Sequence, residues 1–130
     1  MKLIALAFLA VSISAQAASP GELGPAAQAE IASYLNCFKA TDGQLRAGKV
    51  TPERYEMAME GACLAQYDAA TKEMKAHLEA LPHPGVSYDD AQEITANTMS
   101  SIESSDHRLR KQHVSAYVLW FSSAERNTGR

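Results

Sequence analysis

The chain of 130 residues contains two cysteines, Cys37 and Cys63, whose chemistry depends on how they are paired. Redox enzymes normally carry a Cys-x-x-Cys motif, whereas these two cysteines are 26 residues apart. A metal site would need further ligands at short spacing, and no histidine stands near either cysteine in the sequence. Two buried free thiols are the remaining alternative. We predict a structural Cys37–Cys63 disulfide, because the start of the chain indicates export to an oxidising compartment.

His113 is the histidine whose position suggests proton chemistry. Helical spacing places it on the same face as Asp106, seven residues earlier. A buried His–Asp pair of this kind serves as a proton relay or as a pH sensor near neutrality. The competing interpretation is an ordinary core or boundary histidine with one hydrogen bond. None of the histidine spacings matches a metal motif such as His-Glu-x-x-His, so we predict no metal site.

The sequence contains no motif for catalysis or for cofactor binding. No serine lies in Gly-x-Ser-x-Gly or Ser-x-x-Lys, and no glycine-rich phosphate loop follows a strand pattern. Methionines together with His113 would be a haem ligand set, but the Cys-x-x-Cys-His attachment motif is missing. Methionines at helical spacing are more often core residues. We expect a protein that is not an enzyme and that has no cofactor.

The elements that must position these residues are predicted to be helices. Helix 1 extends from about Pro25 to Arg46, with apolar residues at a 3.6-residue period. Thr51 is the N-cap of helix 2, and Pro52 occupies its first position. The apolar stripe of helix 2 continues to Leu81, where Leu-Pro-His-Pro-Gly prevents continuation.

Helix 3 starts after Ser87, with Asp90 three residues later as a variant of the capping box. Continued to about Ser123, it would be about 55 Å long. The serine-rich stretch 100–108 favours a break near Ser104–Asp106, after which Ser105 would cap a fourth helix. The apolar phase is preserved across the serines, and both alternatives are open.

The predicted fold is therefore all-α: a small up-and-down bundle of three long helices, the third either whole or divided into two. In an antiparallel helix 1–helix 2 hairpin, Cys37 and Cys63 lie at nearly equal distances from the turn near Lys49. They can face each other and join the two helices. Closing this loop stabilises a domain by roughly 3–4 kcal/mol in the chain-entropy model.

A basic and aromatic segment near the end of the chain is the main candidate for a binding surface. It is apolar on more than one face, and Arg, Tyr and Trp are enriched at interface hot spots. The candidate partner-binding residues are Arg108, Arg110, Tyr117, Trp120 and Phe121. Two alternatives are a terminal helix docked centrally in the bundle and a helix lying on a membrane surface.

Residues 1–17 have the layout of a secretory signal peptide. Lys2 precedes an apolar run from Leu3 to Ile13, and Ala15-Gln16-Ala17 follows as a cleavage site. The apolar run is too short to span a bilayer, which needs roughly 20 residues. We expect cleavage near Ala17, one helical domain over residues 18–130, and a bacterial protein that is periplasmic or secreted.

The charge is distributed unevenly along the chain. Residues 18–106 contain 14 acidic and 6 basic residues, whereas residues 107–130 contain 5 basic residues and 1 acidic residue. The net charge of −3 and the export signal argue against a nucleic-acid partner. We expect the basic end to complement the acidic remainder, within the fold or between protomers.

The functional expectation follows from these observations. We expect an exported non-enzymatic protein that binds another protein or itself, in an inhibitor, immunity or chaperone-like role. The alternative is a carrier that holds a small apolar ligand in the bundle core near Trp120 and Met99. A third hypothesis is a pH response through Asp106 and His113.

Overall fold

A computed structural model describes residues 23–129 of the chain. This range forms four helices, α1 (Pro25–Ala47), α2 (Pro52–Gly61), α3 (Leu64–Ala80) and α4 (Tyr88–Thr128), and contains no strand. The all-α prediction is thereby confirmed. The predicted signal peptide over residues 1–17 lies outside the described residues.

The starts of α2 and α4 form where the sequence indicates. The Thr51 hydroxyl accepts a hydrogen bond from the backbone N–H of Arg54 at 3.4 Å, and Pro52 is the first residue of α2. The Ser87 hydroxyl accepts from the backbone N–H of Asp90 at 3.1 Å. Each cap satisfies one of the N–H groups that the first helical turn leaves without an internal partner.

The second long helix is interrupted, which differs from the continuous stripe expected over residues 52–81. The backbone of Ala62 is extended, with ψ 139°. The backbone of Cys63 adopts the left-handed helical conformation, with φ 61°. The interruption separates α2 from α3, and the two helices pack against different neighbours. α3 packs mainly against α1, whereas α2 packs against α4.

α4 is continuous over 41 residues, so the alternative with a break near Ser104–Asp106 does not occur. The Ser101 hydroxyl donates to the carbonyl of Asn97 at 3.0 Å, and the Ser105 hydroxyl donates to that of Ser101 at 2.9 Å. These serines bond back to their own helix rather than capping a new one. At 1.5 Å per residue, α4 is about 60 Å long.

The core is small and rich in aromatic residues. Tyr55 and Tyr117 are fully buried, and their rings stack with centroids 3.8 Å apart. Tyr34 and Phe38 on α1 meet edge to face at 5.1 Å. This cluster connects α1, α2 and α4 at the level of the disulfide, where Cys63 is also buried.

The Cys37–Cys63 disulfide is present and joins α1 to the α2–α3 junction, with Cα atoms 5.9 Å apart. The prediction made from the equal distances to the turn is confirmed. Disulfides of this kind are typical of proteins that fold in an oxidising compartment. Within residues 23–129, none of the helices has the combination of length and apolar character that crossing a membrane requires.

Candidate functional site

Arg110 is a buried residue of α4 that caps the end of α2. The residue is 8 % exposed, and its Nη1 donates to the carbonyls of Met59 at 2.7 Å and Ala62 at 2.8 Å. Because α2 stops at this point, its last carbonyls have no partner within the helix. The guanidinium satisfies them from another helix. This cap explains why the chain can be interrupted at residues 62–63 inside the bundle.

The charge of Arg110 is balanced by Asp106, one turn earlier on α4. Arg110 Nε donates to Asp106 Oδ2 at 2.9 Å, and the guanidinium lies over the Phe38 ring at 4.9 Å. The Tyr34 hydroxyl donates to the second oxygen of Asp106. Burial and the Asp106 carboxylate raise the pKa of Tyr34 well above its ordinary value, so the phenol remains a donor.

The predicted pair of Asp106 and His113 does not form. Asp106 is bonded to Tyr34 and Arg110, and the His113 ring lies against the Phe38 ring, with centroids 5.5 Å apart. Among residues 23–129, no hydrogen bond joins His113 to Asp106. Helical spacing placed both on one face, but the arginine four residues after Asp106 is the nearer partner. A pH-sensing role for either residue stays a prediction without the contact that motivated it.

Two of the five candidate partner-binding residues lie in the interior, which corrects their assignment to a surface. Arg110 is buried by its cap on α2, and Tyr117 is fully buried with its hydroxyl donating to the carbonyl of Val50 at 2.6 Å. Trp120 and Phe121 are half-buried, and Arg108 is exposed. A partner-binding role for these last three residues stays a prediction.

A second polar cluster surrounds Asp42 on α1. Its carboxylate accepts from Arg46 Nε at 3.0 Å and from the Tyr55 hydroxyl at 2.6 Å. The Arg46 guanidinium also lies over the Trp120 ring at 5.1 Å. Burial acts to raise the pKa of Asp42, but the hydrogen bonds from Tyr55 and Arg46 and the nearby positive charge hold it below its ordinary value.

The lowered pKa of Asp42 predicts an acid-dependent contribution to stability. The folded-state pKa of Asp42 lies below the unfolded value of about 3.9. The carboxylate therefore contributes its full stabilisation above about pH 3.9, and this stabilisation is lost as the pH falls through the folded-state pKa. Asp42→Asn is expected to lower the free energy of unfolding at pH 7. The difference from the parent protein should shrink below about pH 4 in urea titrations at successive pH values. Asp68→Asn, at an exposed position of α3, is the control and should change the free energy of unfolding at pH 7 by less than about 0.5 kcal/mol.

Two hollows lie between α3 and α4 and are together called here the α3–α4 groove. It consists of a hollow of about 350 Å³ in the middle of the bundle and one of about 940 Å³ toward the α3–α4 connection. Its walls include Ala70, Met74 and Leu78 of α3 and Thr95, Met99 and Ile102 of α4. Ile31 and Leu35 of α1 border the smaller hollow.

Both hollows of the α3–α4 groove are open to solvent. Leu35 is 50 % exposed at the smaller hollow, and Val86 and Tyr88 are 41 % and 75 % exposed at the larger one. Small residues in α4 are the sequence feature that accounts for the groove, and the apolar periodicity alone does not reveal them. The stripe of α4 that faces α3 includes small residues, Ala91, Thr95 and Thr98, where bulky apolar side chains would have closed the gap.

Within residues 23–129, no group of three or more His, Cys, Asp or Glu side chains is arranged to hold a metal ion. Neither cysteine is free, since both are in the disulfide. No protein-family model, curated protein or solved structure matches the chain.

Proposed function

We propose that this is an exported, non-enzymatic protein that binds another protein in the bacterial periplasm through the α3–α4 groove. An inhibitor, immunity or chaperone-like role belongs to this class. The observation that carries the proposal is the α3–α4 groove, which is open to solvent and has exposed Leu35, Val86 and Tyr88 along its edges. Exposed apolar patches with polar residues at their edges mark interaction sites on proteins.

The dimensions of the groove favour a protein segment as the occupant. The α4 residues that border the two hollows extend from Tyr88 to Leu109, about 32 Å along the helix. An amphipathic helix of a partner would place its apolar side against these two helices, in the helix-in-groove mode of recognition. Small-molecule sites usually bury most of the ligand surface. An open groove does so poorly for a small ligand, but well for a helix.

Export is part of the proposal for two reasons. The Cys37–Cys63 disulfide needs an oxidising compartment to form and persist. The first 17 residues have the composition of a signal peptide, with one basic residue, an apolar run and a small-residue cleavage site.

Photo-crosslinking in the host periplasm tests the protein-binding proposal. A photo-reactive amino acid at Leu35, 50 % exposed on the groove, is expected to give a discrete crosslinked partner, which mass spectrometry identifies. Leu64, 51 % exposed but outside the groove lining, is the matched control position.

The purified partner then provides the quantitative measurement. Leu35→Asp should raise its Kd by roughly tenfold or more, whereas Leu64→Asp should leave it unchanged. Circular dichroism checks that both variants remain helical. Equal crosslinking at the two positions, or equal loss of binding, would refute the role of the groove.

The smaller hollow favours a second candidate, a carrier of a small apolar ligand. Three helices border it, and its lining is almost wholly apolar. The ligand would lie beside Met74 and Ile102, away from Trp120, which packs near Arg46 instead. Native mass spectrometry of the unreduced protein from its host distinguishes the candidates. Added small-molecule mass supports the carrier, and a bare chain removes it.

A further inference from the structure

The α4 edge of the larger hollow is bordered by three acidic residues. Ala96 lines the hollow, and Asp89 and Glu103 lie seven residues before and after it. Because seven residues are close to two helical turns, these three residues lie near one line along the helix. Glu93, three residues before Ala96, lies beside that line. Asp89, Glu93 and Glu103 are all exposed, so the edge of the hollow presents three carboxylates to solvent.

The position of Glu103 beside α3 has independent support. Burial, followed by the carboxylates of Asp106 and Glu103, raises the pKa of Tyr67, which is a residue of α3. The charge of Glu103 is therefore close enough to act on a side chain of the opposite wall. This places Glu103 on the side of α4 that faces α3, as the helical spacing indicates.

The three carboxylates are not neutralised by the fold. In the part of the chain that the structure describes, none of them forms a salt bridge. On the α3 wall, Lys75 pairs with Glu79 at 3.8 Å, so these two lining residues add no net charge. The helix dipole favours an acidic residue in the first turn, such as Asp89, but not Glu93 or Glu103 farther along α4.

The wall of the larger hollow beside these carboxylates is mainly apolar. Its apolar side chains come from α3, the α3–α4 connection and α4, and include Leu78, Leu81, Val86 and Met99. Two polar side chains at the start of α4 are bonded to each other, since Gln92 Nε2 donates to the Tyr88 hydroxyl at 2.6 Å. The larger hollow therefore combines an apolar surface with an acidic edge.

We propose that the larger hollow receives a basic amphipathic helix of the partner protein. The apolar side of this helix packs into the hollow, and its Lys and Arg side chains lie beside Asp89, Glu93 and Glu103. From Asp89 to Glu103 the acidic edge is about 21 Å long, which about four turns of a helix span. Complementary charges at the edge of a contact set its orientation and select among partners. This inference rests on the proposed function, because it names the chemistry of the segment that the groove binds.

Two synthetic peptides test the charge preference without the native partner. One is an amphipathic helix of Leu and Lys about four turns long, and in the other every Lys is replaced with Glu. Fluorescence anisotropy measures the binding of each labelled peptide to the oxidised protein. We expect the Leu–Lys peptide to bind roughly tenfold or more tightly than the Leu–Glu peptide. Its Kd should rise with added salt, because exposed charges are screened.

Variants that remove charge show which carboxylates attract the peptide. The double variant Glu93→Gln, Glu103→Gln should raise the Kd of the Leu–Lys peptide by roughly fivefold or more. The double variant Glu53→Gln, Glu56→Gln removes the same charge from exposed positions of α2 and is the matched control, which should leave the Kd unchanged. Ala96→Arg, in the lining of the larger hollow, should also weaken binding.

Three results would overturn the proposal. Equal Kd values for the two peptides would mean that apolar contact alone selects the occupant. Equal effects of the two double variants would mean that the net charge of the whole protein attracts the peptide. A dimer of the protein alone that Ala96→Arg disrupts would assign the hollow to a second copy. Each of these results is separate from photo-crosslinking at Leu35, which tests whether the groove binds a protein at all. A discrete crosslinked partner together with equal peptide Kd values would therefore refute the basic helix and leave the proposed function in place.

Discussion

Replacing Arg110 with methionine is expected to lower the free energy of unfolding by roughly 3–5 kcal/mol. The substitution keeps the apolar length of the side chain but removes the guanidinium. Asp106 then becomes a largely buried charge without its ion-pair partner, and the carbonyls of Met59 and Ala62 lose their donor. Urea unfolding followed by circular dichroism gives the difference. Lys111→Met, one residue further along and exposed, is the control and should change stability by less than about 0.5 kcal/mol.

A double variant separates the cost of an unpaired charge from the loss of the cap. Asp106→Leu combined with Arg110→Met removes both charges, so the stability should recover in part. Full recovery would mean that the carbonyls of α2 do not need the arginine. An Arg110→Met protein as stable as the parent would contradict the assignment of this residue as a structural cap.

Local sequence signals account for the helix starts and for the disulfide. Thr51 before Pro52, and Ser87 three residues before Asp90, are short-range patterns whose meaning does not depend on the rest of the chain. The disulfide follows from the almost equal distances of Cys37 and Cys63 from the turn. These features were predictable because each depends on residues in one hairpin or one helical turn.

The interruption between α2 and α3 could not be predicted in the same way. Its cap comes from Arg110, which is 48 residues away from Ala62 in the sequence. The apolar period runs through residues 52–81 without disturbance, so a local reading continues the helix. Tertiary contacts outweigh helix propensity at this position.

The burial of the candidate binding residues also depends on contacts with distant parts of the sequence. The composition of the segment from Arg108 to Phe121 indicates an interaction surface, but composition does not say which side chains face the core. Tyr117 stacks on Tyr55, a partner on another helix, and Arg110 belongs to the interior. The α3–α4 groove was missed because it depends on small residues that leave space, rather than on side chains that carry chemistry.

Removing the disulfide is the second change with a large expected effect. The double variant Cys37→Ala, Cys63→Ala should be less stable than the oxidised protein by roughly 3–4 kcal/mol. The loop between the cysteines spans 26 residues, and opening it restores conformational freedom to the unfolded chain. Urea unfolding of the double variant and of the parent protein, with and without a dithiol reductant, measures the difference. A reduced parent protein as stable as the oxidised one would contradict this prediction.

Variants at position 63 distinguish whether the disulfide or Arg110 maintains the interruption between α2 and α3. Cys63 is left-handed, a conformation that costs a residue with a Cβ roughly 1–2 kcal/mol and costs glycine little. If Arg110 maintains the interruption without the disulfide, Cys37→Ala, Cys63→Gly should be more stable than Cys37→Ala, Cys63→Ala by about 1 kcal/mol. If the disulfide alone maintains it, α2 and α3 would merge when it is removed. Alanine at position 63 would then be the more stable choice by a similar amount, because glycine weakens a helix interior. We expect the glycine variant to be more stable, since the bonds from Arg110 to Met59 and Ala62 do not depend on the cysteines.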